Sequence, residues 1–335
     1  MLKYIQPLSL ILLLFGMGSP LCLHALSSPA LMGMDGQKIV IATEVLLRES
    51  SELNANILGR LTLGSIVKAS KRTREKIYRN GIAGYWYYVT HDTKKGWVFG
   101  SLLRDFKIKD QESIYWRLVK ERRAKKPSYF VDYLELHQYI RSILPHIKRK
   151  KIRAALELDY LISLQKTAQK IPFNKYTIEP YSNFLKKNKK DLLYDEISGR
   201  YLVPSQHYWR LAKHYQHSEE GDKITWYAAN VELGGECEGD ISCIFLAMTG
   251  STGLYLNRYP QGVYAENAMI KIIPVLNYML EDLKIYSNNN RNILFSRIKV
   301  PMQTLMNDLN KGNPSSKKRS QVIKQLDLLK SVMQH

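Results

Sequence analysis

The stretches Tyr85-Trp86-Tyr87-Tyr88-Val89-Thr90 and Gly96-Trp97-Val98-Phe99 decide the fold of the N-terminal part of this 335-residue chain. Both are rich in aromatic and β-branched residues, which favour strands, and a polar turn separates them. Upstream, further short apolar runs lie between turn residues, at Lys38–Thr43, Val45–Arg48, Leu58–Leu61 and Ile66–Val67. Short strands at this close spacing predict a small β-barrel over residues 37–106.

The same residues stand in the order seen in bacterial SH3 domains. The matching positions are Ala42-Thr43, Leu47-Arg48, Ile57-Leu58-Gly59, Gly64, Trp86-Tyr87-Tyr88-Val89, Gly96-Trp97-Val98 and Leu102-Leu103. Residues 38–106 therefore resemble that family. They depart from it at Leu46, at Ser50-Ser51 and in a basic insert, Lys71 to Asn80. The resemblance implies a binding module for cell-wall peptide or for another part of the same protein.

Candidate ligand-binding residues come from the aromatic strands. We expect Trp86 and Trp97 to fill a core that is small for its surface. Because side chains alternate along a strand, one set of the tyrosines at 85–88 faces outward, where it could line a peptide groove. The candidates are Tyr85, Tyr87 and Trp97.

The first 30 residues have the pattern of a secretory signal peptide. Lys3 precedes an apolar run from Leu8 to Phe15, and small residues follow up to Ala30. The run is shorter than the roughly 20 residues of a membrane span. Cleavage after Ala25, cleavage after Ala30 and retention as an anchor all stay open, as does lipidation at Cys22. We expect an exported protein of the periplasm, the cell envelope or the extracellular space.

The charge is strongly basic, with 50 Lys+Arg against 30 Asp+Glu and a net charge of +20. Such a charge attracts anionic surfaces. Export argues against nucleic acid as the partner and leaves phospholipid headgroups, cell-wall polymers and acidic proteins. The alternative is a solvated basic surface without a specific partner, which is the usual role of a cluster such as Lys148–Arg153.

Two cysteines remain if the signal peptide is removed. Cys237 and Cys243 enclose five residues, and an even pair in an oxidising compartment predicts a disulfide bond. A metal site and a redox site are the competing interpretations. The spacing does not match the close cysteine pair typical of zinc sites.

From Asp110 onward, apolar residues recur at threes and fours, which predicts helices, and prolines divide the run into several of them. The chain is thus an α+β multidomain protein, with the SH3-like barrel at 37–106 and an α-helical domain at 110–335. We predict a helix over Tyr264–Leu283, a loop over Ser287–Arg291 and a final helix that packs through one face. The residues of that face are Val322, Leu326, Leu329 and Met333.

A short turn in the helical part resembles a second family. Tyr255, Tyr259-Pro260, Tyr264-Ala265 and Ala268 are similar to the helix junctions of tetratricopeptide-type envelope proteins. The resemblance is limited to residues 255–268, and no 34-residue repeat is visible elsewhere. It implies a helical hairpin.

Catalytic motifs are scarce. The sequence has no phosphate-binding glycine loop and no nucleophile elbow. His207, His214 and His217 lie close together but lack the spacing of the helical zinc motif. We predict an exported, non-catalytic binding or scaffold protein without a cofactor, whose partner is an envelope protein or a cell-wall peptide. The alternatives are a metal-dependent envelope hydrolase that uses the three histidines, and a basic protein that binds lipid surfaces.

Overall fold

The computed structural model describes residues 30–79, 81–126, 128–231 and 237–334. The predicted signal peptide and Cys22 lie outside these residues, except for Ala30. An antiparallel sheet region comes first and a mostly helical part follows, which confirms the mixed α and β fold. Within the described part of the chain, no helix is long and apolar enough to cross a membrane.

The N-terminal region consists of short antiparallel strands. They are β1 (Leu31–Val40), β2 (Val45–Arg48), β3 (Ile57–Leu61), β4 (Ile66–Thr73), β5 (Ile77–Arg79), β6 (Ile82–Gly84), β7 (Trp86–His91), β8 (Lys94–Phe99) and β9 (Leu103–Phe106). The main sheet has the order β3-β2-β8-β7-β4-β1-β9, and β5 and β6 pair separately. The sequence predicted a small SH3-like β-barrel, and over the described strands the hydrogen-bonded sheet is open. Its edge strands are β3 and β9, and the chain turns from β9 directly into the helical part.

Strand alternation builds the core of the sheet. Val40, Leu47, Val67, Val89 and Val98 pack together on its inner face and are almost completely buried. Because successive side chains of a strand point to opposite faces, the residues between them lie on the other face.

The helical part contains α1 to α11. The bounds are α1 (Gln111–Ala124), α2 (Phe130–Ile143), α3 (Lys150–Gln169), α4 (Tyr181–Lys187), α5 (Ser205–His214), α6 (Gly221–Ala228), α7 (Ile241–Met248), α8 (Leu254–Arg258), α9 (Ala265–Asp282), α10 (Asn288–Asn310) and α11 (Lys317–Gln334). A five-residue π-helical segment, Thr249–Gly253, joins α7 to α8. A hairpin of β10 (Leu193–Asp195) and β11 (Arg200–Leu202) interrupts the helices and was not predicted.

The C-terminal helices confirm one prediction and correct another. The predicted face of α11 is buried in a core shared with α7, α9 and α10. The loop predicted at Ser287–Arg291 is wrong, because α10 begins at Asn288. The Ser287 side chain accepts a hydrogen bond from the Asn290 amide, so the serine read as a loop residue is a helix N-cap.

The turn at residues 255–268 joins α8 to α9. One half-buried carboxylate organises it. Asp222 accepts hydrogen bonds from the Tyr255 hydroxyl at 2.5 Å and from the Val263 amide at 2.7 Å. The Tyr255 hydroxyl in turn accepts from the Tyr264 amide. The resemblance of this turn to tetratricopeptide proteins stays a prediction.

The sheet and the first three helices share one hydrophobic core. Ile39, Leu63 and Phe106 of the sheet region pack with apolar residues of α1, α2 and α3. The Leu63 amide also donates to Glu135 Oε1 of α2 at 2.9 Å. The predicted boundary between residues 106 and 110 therefore marks a change in secondary structure, while the packing is continuous across it.

Candidate ligand-binding surface

The candidate aromatic residues lie on both faces of β7. In the β7–β8 pair, Tyr88 is opposite Trp97 and Tyr87 is opposite Val98. Directly opposed residues share a face and consecutive residues do not. Trp97 is therefore on the outer face with Tyr88, whereas Tyr87 is on the inner face. The structure does not bring Tyr85, Tyr87 and Trp97 together.

The outer face carries a continuous aromatic row, which we define as Trp86, Tyr88, Trp97 and Phe99. Edge-to-face contacts join its members, with ring centroids 5.5 Å apart for Trp86–Phe99 and 5.4 Å apart for Tyr88–Trp97. Trp86, Trp97 and Phe99 are buried, while Tyr88 is half-buried. Trp97 thus packs as a framework residue, and Tyr88 is the member that a ligand can reach.

Basic side chains flank the aromatic row. Lys71 pairs with Tyr88 across the sheet, and its Nζ lies 4.6 Å from the Tyr88 ring centroid and 5.7 Å from that of Trp97. Arg48 is opposite Trp97 on the other side, and its Nη1 donates to the Ala55 carbonyl at 2.8 Å. The row therefore presents an aromatic surface between two cations that are held in place.

A small cavity of about 170 Å³ adjoins the row. Its lining residues are Thr43, Glu44, Val45, Leu46, Arg48, Trp86, Phe99 and Leu102. Pockets for drug-sized ligands are about 300–1,000 Å³. This cavity therefore suits a single side chain or chain terminus of a ligand that otherwise lies along the surface.

Sequence reasoning missed Tyr88, Lys71 and Arg48 as members of this surface. A signal for Tyr88 was present, since counting back from the turn at Asp92-Thr93 pairs Tyr88 with Trp97. The sequence carried no such signal for Lys71 and Arg48. Their positions depend on the pairing of β4 with β7 and of β2 with β8, and these strands are not joined by a tight turn from which the register could be counted.

Tyr85 and Tyr87, which do not belong to the aromatic row, also have cationic neighbours. The Arg72 guanidinium lies 3.9 Å from the Tyr85 ring centroid, and Lys38 Nζ lies 4.4 Å from that of Tyr87. A hydrogen bond from Arg72 lowers the pKa of Tyr85 below its ordinary value. Lys38 is also paired with Asp105 at 2.6 Å. Both rings are half-buried, so Tyr85 and Tyr87 form a second, separate candidate area.

The three histidines of the alternative hypothesis do not form a metal site. Nδ1 of His207 lies 3.8 Å from Asp191 and accepts a hydrogen bond from Arg210, and partial burial lowers the His207 pKa. His214 packs on the Tyr215 ring, and His217 contacts Gln216. Among the residues that the structure describes, no group of three or more His, Cys, Asp or Glu side chains could hold a metal ion.

The cysteines pair as predicted. Cys237 and Cys243 form a disulfide bond, with their Cα atoms 5.5 Å apart. Asp240 lies inside the closed loop and caps α7, because its side chain accepts from the amides of Ser242 and Cys243. The bond therefore holds the start of α7.

An antiparallel sheet of short strands with an outer aromatic row defines a small β domain. A family model of the bacterial SH3 domain matches residues 44–104, so this segment of the chain is a bacterial SH3 domain. No curated protein matches the chain. A similar solved structure is a chain from work on the computational design of self-assembling cyclic protein homooligomers. It is 9% identical and has a TM-score of 0.22, over 67% of this chain and 94% of that chain.

Proposed function

We propose that this protein is an exported, non-catalytic binding protein of the bacterial envelope, whose SH3 domain recruits a peptide or cell-wall ligand. The observation that carries the proposal is the half-buried Tyr88 on a bacterial SH3 domain, which together with Trp97 lies between Lys71 and Arg48. The small cavity adjoins the other pair of the aromatic row, Trp86 and Phe99. Bacterial SH3 domains bind ligands of this class.

The chemistry of the surface favours an anionic, extended ligand. Cell-wall stem peptides and acidic peptides carry carboxylates, for which Lys71 and Arg48 provide opposite charge. The Tyr88 ring offers a flat apolar contact with a hydroxyl that stays hydrated. Its packing against buried Trp97 orders the ring before binding, which lowers the entropic cost of association.

The helical part supplies the scaffold in this proposal. It is continuous in packing with the SH3 domain through Ile39, Leu63 and Phe106, so a ligand on the sheet is held in a fixed position relative to the helices. We infer a structural role for the helices, and we assign them no reaction.

Binding to purified peptidoglycan sacculi tests the proposal, with the full chain in a pull-down assay. We expect Tyr88→Ala to weaken binding by roughly tenfold, in the range of an interface aromatic. Lys71→Gln should weaken it less and reduce its salt dependence. The matched control is Tyr78→Ala, which removes an exposed tyrosine of the same domain outside the aromatic row.

Hydrogen exchange of β7 in each variant reports whether the sheet stays folded. Wild-type protein that does not bind sacculi would contradict a wall ligand. Equal binding by wild type and Tyr88→Ala would contradict this surface. Release of soluble muropeptides would contradict the non-catalytic assignment.

A further inference from the structure

The basic insert that departs from the SH3 pattern forms a projecting hairpin. Strands β5 and β6 pair with each other and with none of the other described strands. Arg79 is opposite Ile82, the sequence between them reads Asn-Gly, and Gly81 has a φ of +77°. Tight hairpin turns need positive φ, and Asn-Gly is the sequence that favours them most. The hairpin is therefore a specified element of the fold.

This hairpin exposes apolar side chains on both of its faces. Ile77 and Ile82 are 37% and 54% exposed on one face, and Tyr78 is 79% exposed on the other. Large apolar side chains grouped at an exposed site mark an interaction surface. A folded protein partner would cover one face of a hairpin, whereas a fluid apolar phase surrounds both.

The start of β1 adds to the same end of the sheet. Leu31 and Met32 are 41% and 44% exposed and are opposite Thr73 and Arg72, the last residues of β4 before the hairpin. The Arg74 amide donates to the Ala30 carbonyl at 2.8 Å, which fixes the start of β1 beside the hairpin base. We call Leu31, Met32, Ile77, Tyr78 and Ile82 the hairpin surface.

Positive charge is concentrated around the hairpin surface. Residues 72–84 contain Arg72, Arg74, Lys76 and Arg79 against a single acidic residue, Glu75, which gives the segment a net charge of +3. Apolar side chains surrounded by lysine and arginine are typical of segments that lie at the surface of an anionic bilayer.

We propose that the hairpin surface docks the protein on an anionic phospholipid bilayer. Ile77, Tyr78 and Ile82 enter the boundary between headgroups and acyl chains, and the basic residues contact headgroup phosphates. Tyrosine suits this boundary, because its ring is apolar and its hydroxyl is hydrated. A soluble polyanion would satisfy the charge but leave the apolar side chains in water, so lipid is the partner that fits both features.

The proposal does not depend on whether the N-terminal segment is cleaved. It concerns a surface distinct from the aromatic row, so the two proposals can fail independently.

Hydrogen exchange of the full chain, with and without vesicles, tests the proposal at the level of the hairpin. The vesicles contain either phosphatidylcholine alone or phosphatidylcholine with 30% phosphatidylglycerol. We expect peptides that cover residues 74–84 to exchange at least about threefold more slowly on the anionic vesicles only, because headgroup insertion restricts hairpin opening. Local protection separates this contact from membrane binding by the N-terminal segment.

Two variants and a matched control complete the experiment. Ile77→Ser/Tyr78→Ser/Ile82→Ser should abolish the protection, and Arg74→Gln/Lys76→Gln should reduce vesicle affinity by roughly 25-fold, from about fivefold for each charge. Leu193→Ser/Ile197→Ser removes exposed apolar residues of the other hairpin region and should change nothing. Absence of protection at 74–84 on anionic vesicles overturns the proposal. Equal protection by soluble poly-glutamate overturns it in favour of a polyanion site.

Discussion

Tyr139 of α2 lies directly against Gly64 in the turn between β3 and β4, where a Cβ atom would be 2.1 Å from Tyr139 Cε2. Gly64 also has a φ of +82°, a region that residues with a side chain rarely adopt. Gly64, which matches the SH3 family, thus provides the positive φ of the turn. Its missing side chain also leaves room for Tyr139 of α2, which lies outside the SH3 domain. The contact shows how closely the sheet and the helical part are joined.

Gly64→Ala should destabilise the protein by more than the cost of positive φ alone, which is about 1–2 kcal/mol. The added methyl group would overlap the Tyr139 ring, so either the turn or α2 must move. Chemical denaturation measures the change in the free energy of unfolding. Gly33→Ala is the control, because a Cβ there meets no atom within 4 Å. Equal stability of the two variants would contradict the close contact.

Leu118→Ala should destabilise the sheet together with the helices. Leu118 of α1 is fully buried in the core that contains Ile39 of β1, and such truncations cost about 2–5 kcal/mol. Hydrogen exchange should show faster exchange at β1 amides as well as in α1. Leu328→Ala, at an exposed site on α11, should leave hydrogen exchange in β1 and in α1 unchanged. If β1 kept its protection in the Leu118 variant, the sheet would be an independent unit.

Protonation of His137 should destabilise the protein between pH 6.5 and pH 4. The ring is buried, contacts the Tyr160 ring with centroids 4.6 Å apart and approaches Ser163 Oγ at 3.2 Å. Burial lowers its pKa from 6.5 to about 4. The unfolded chain therefore binds the proton first as pH falls, and stability decreases by up to about 3 kcal/mol across this window.

The comparison that isolates this effect is between wild type and His137→Gln. The difference between their free energies of unfolding should change by up to about 3 kcal/mol from pH 7 to pH 4. The other titrating groups contribute equally to the two proteins. A pH-independent difference for His137→Gln would contradict the neutral buried ring.

Reduction of the Cys237–Cys243 bond should destabilise the protein modestly. The bond closes a loop with a sequence separation of 6, for which lost chain entropy corresponds to about 2 kcal/mol. Unfolding with and without dithiothreitol measures the effect, which should appear first in α7. Cys237→Ser/Cys243→Ser should be as stable as the reduced protein and insensitive to dithiothreitol. If dithiothreitol also destabilised that variant, the loss of stability would have a cause other than this disulfide bond.

Local patterns accounted for the elements of the fold. The two-residue period of the aromatic stretches predicted β7 and β8, and the spacing at threes and fours predicted α9 and α11. The β5–β6 hairpin was missed although Asn80-Gly81 marks its turn. The β10–β11 hairpin was missed because it lies between helices and its strands are only three residues long.

The sequence by itself determined that residues 44–104 form a bacterial SH3 domain and that helices follow, because alternation, periodicity and turn residues act between near neighbours in the chain. Only the tertiary structure decided that Tyr88 shares a face with Lys71, that the sheet is open and that α2 packs on Gly64. These features depend on strand register and on contacts between distant segments. Such contacts form where buried surfaces fit together, and no local pattern specifies that fit.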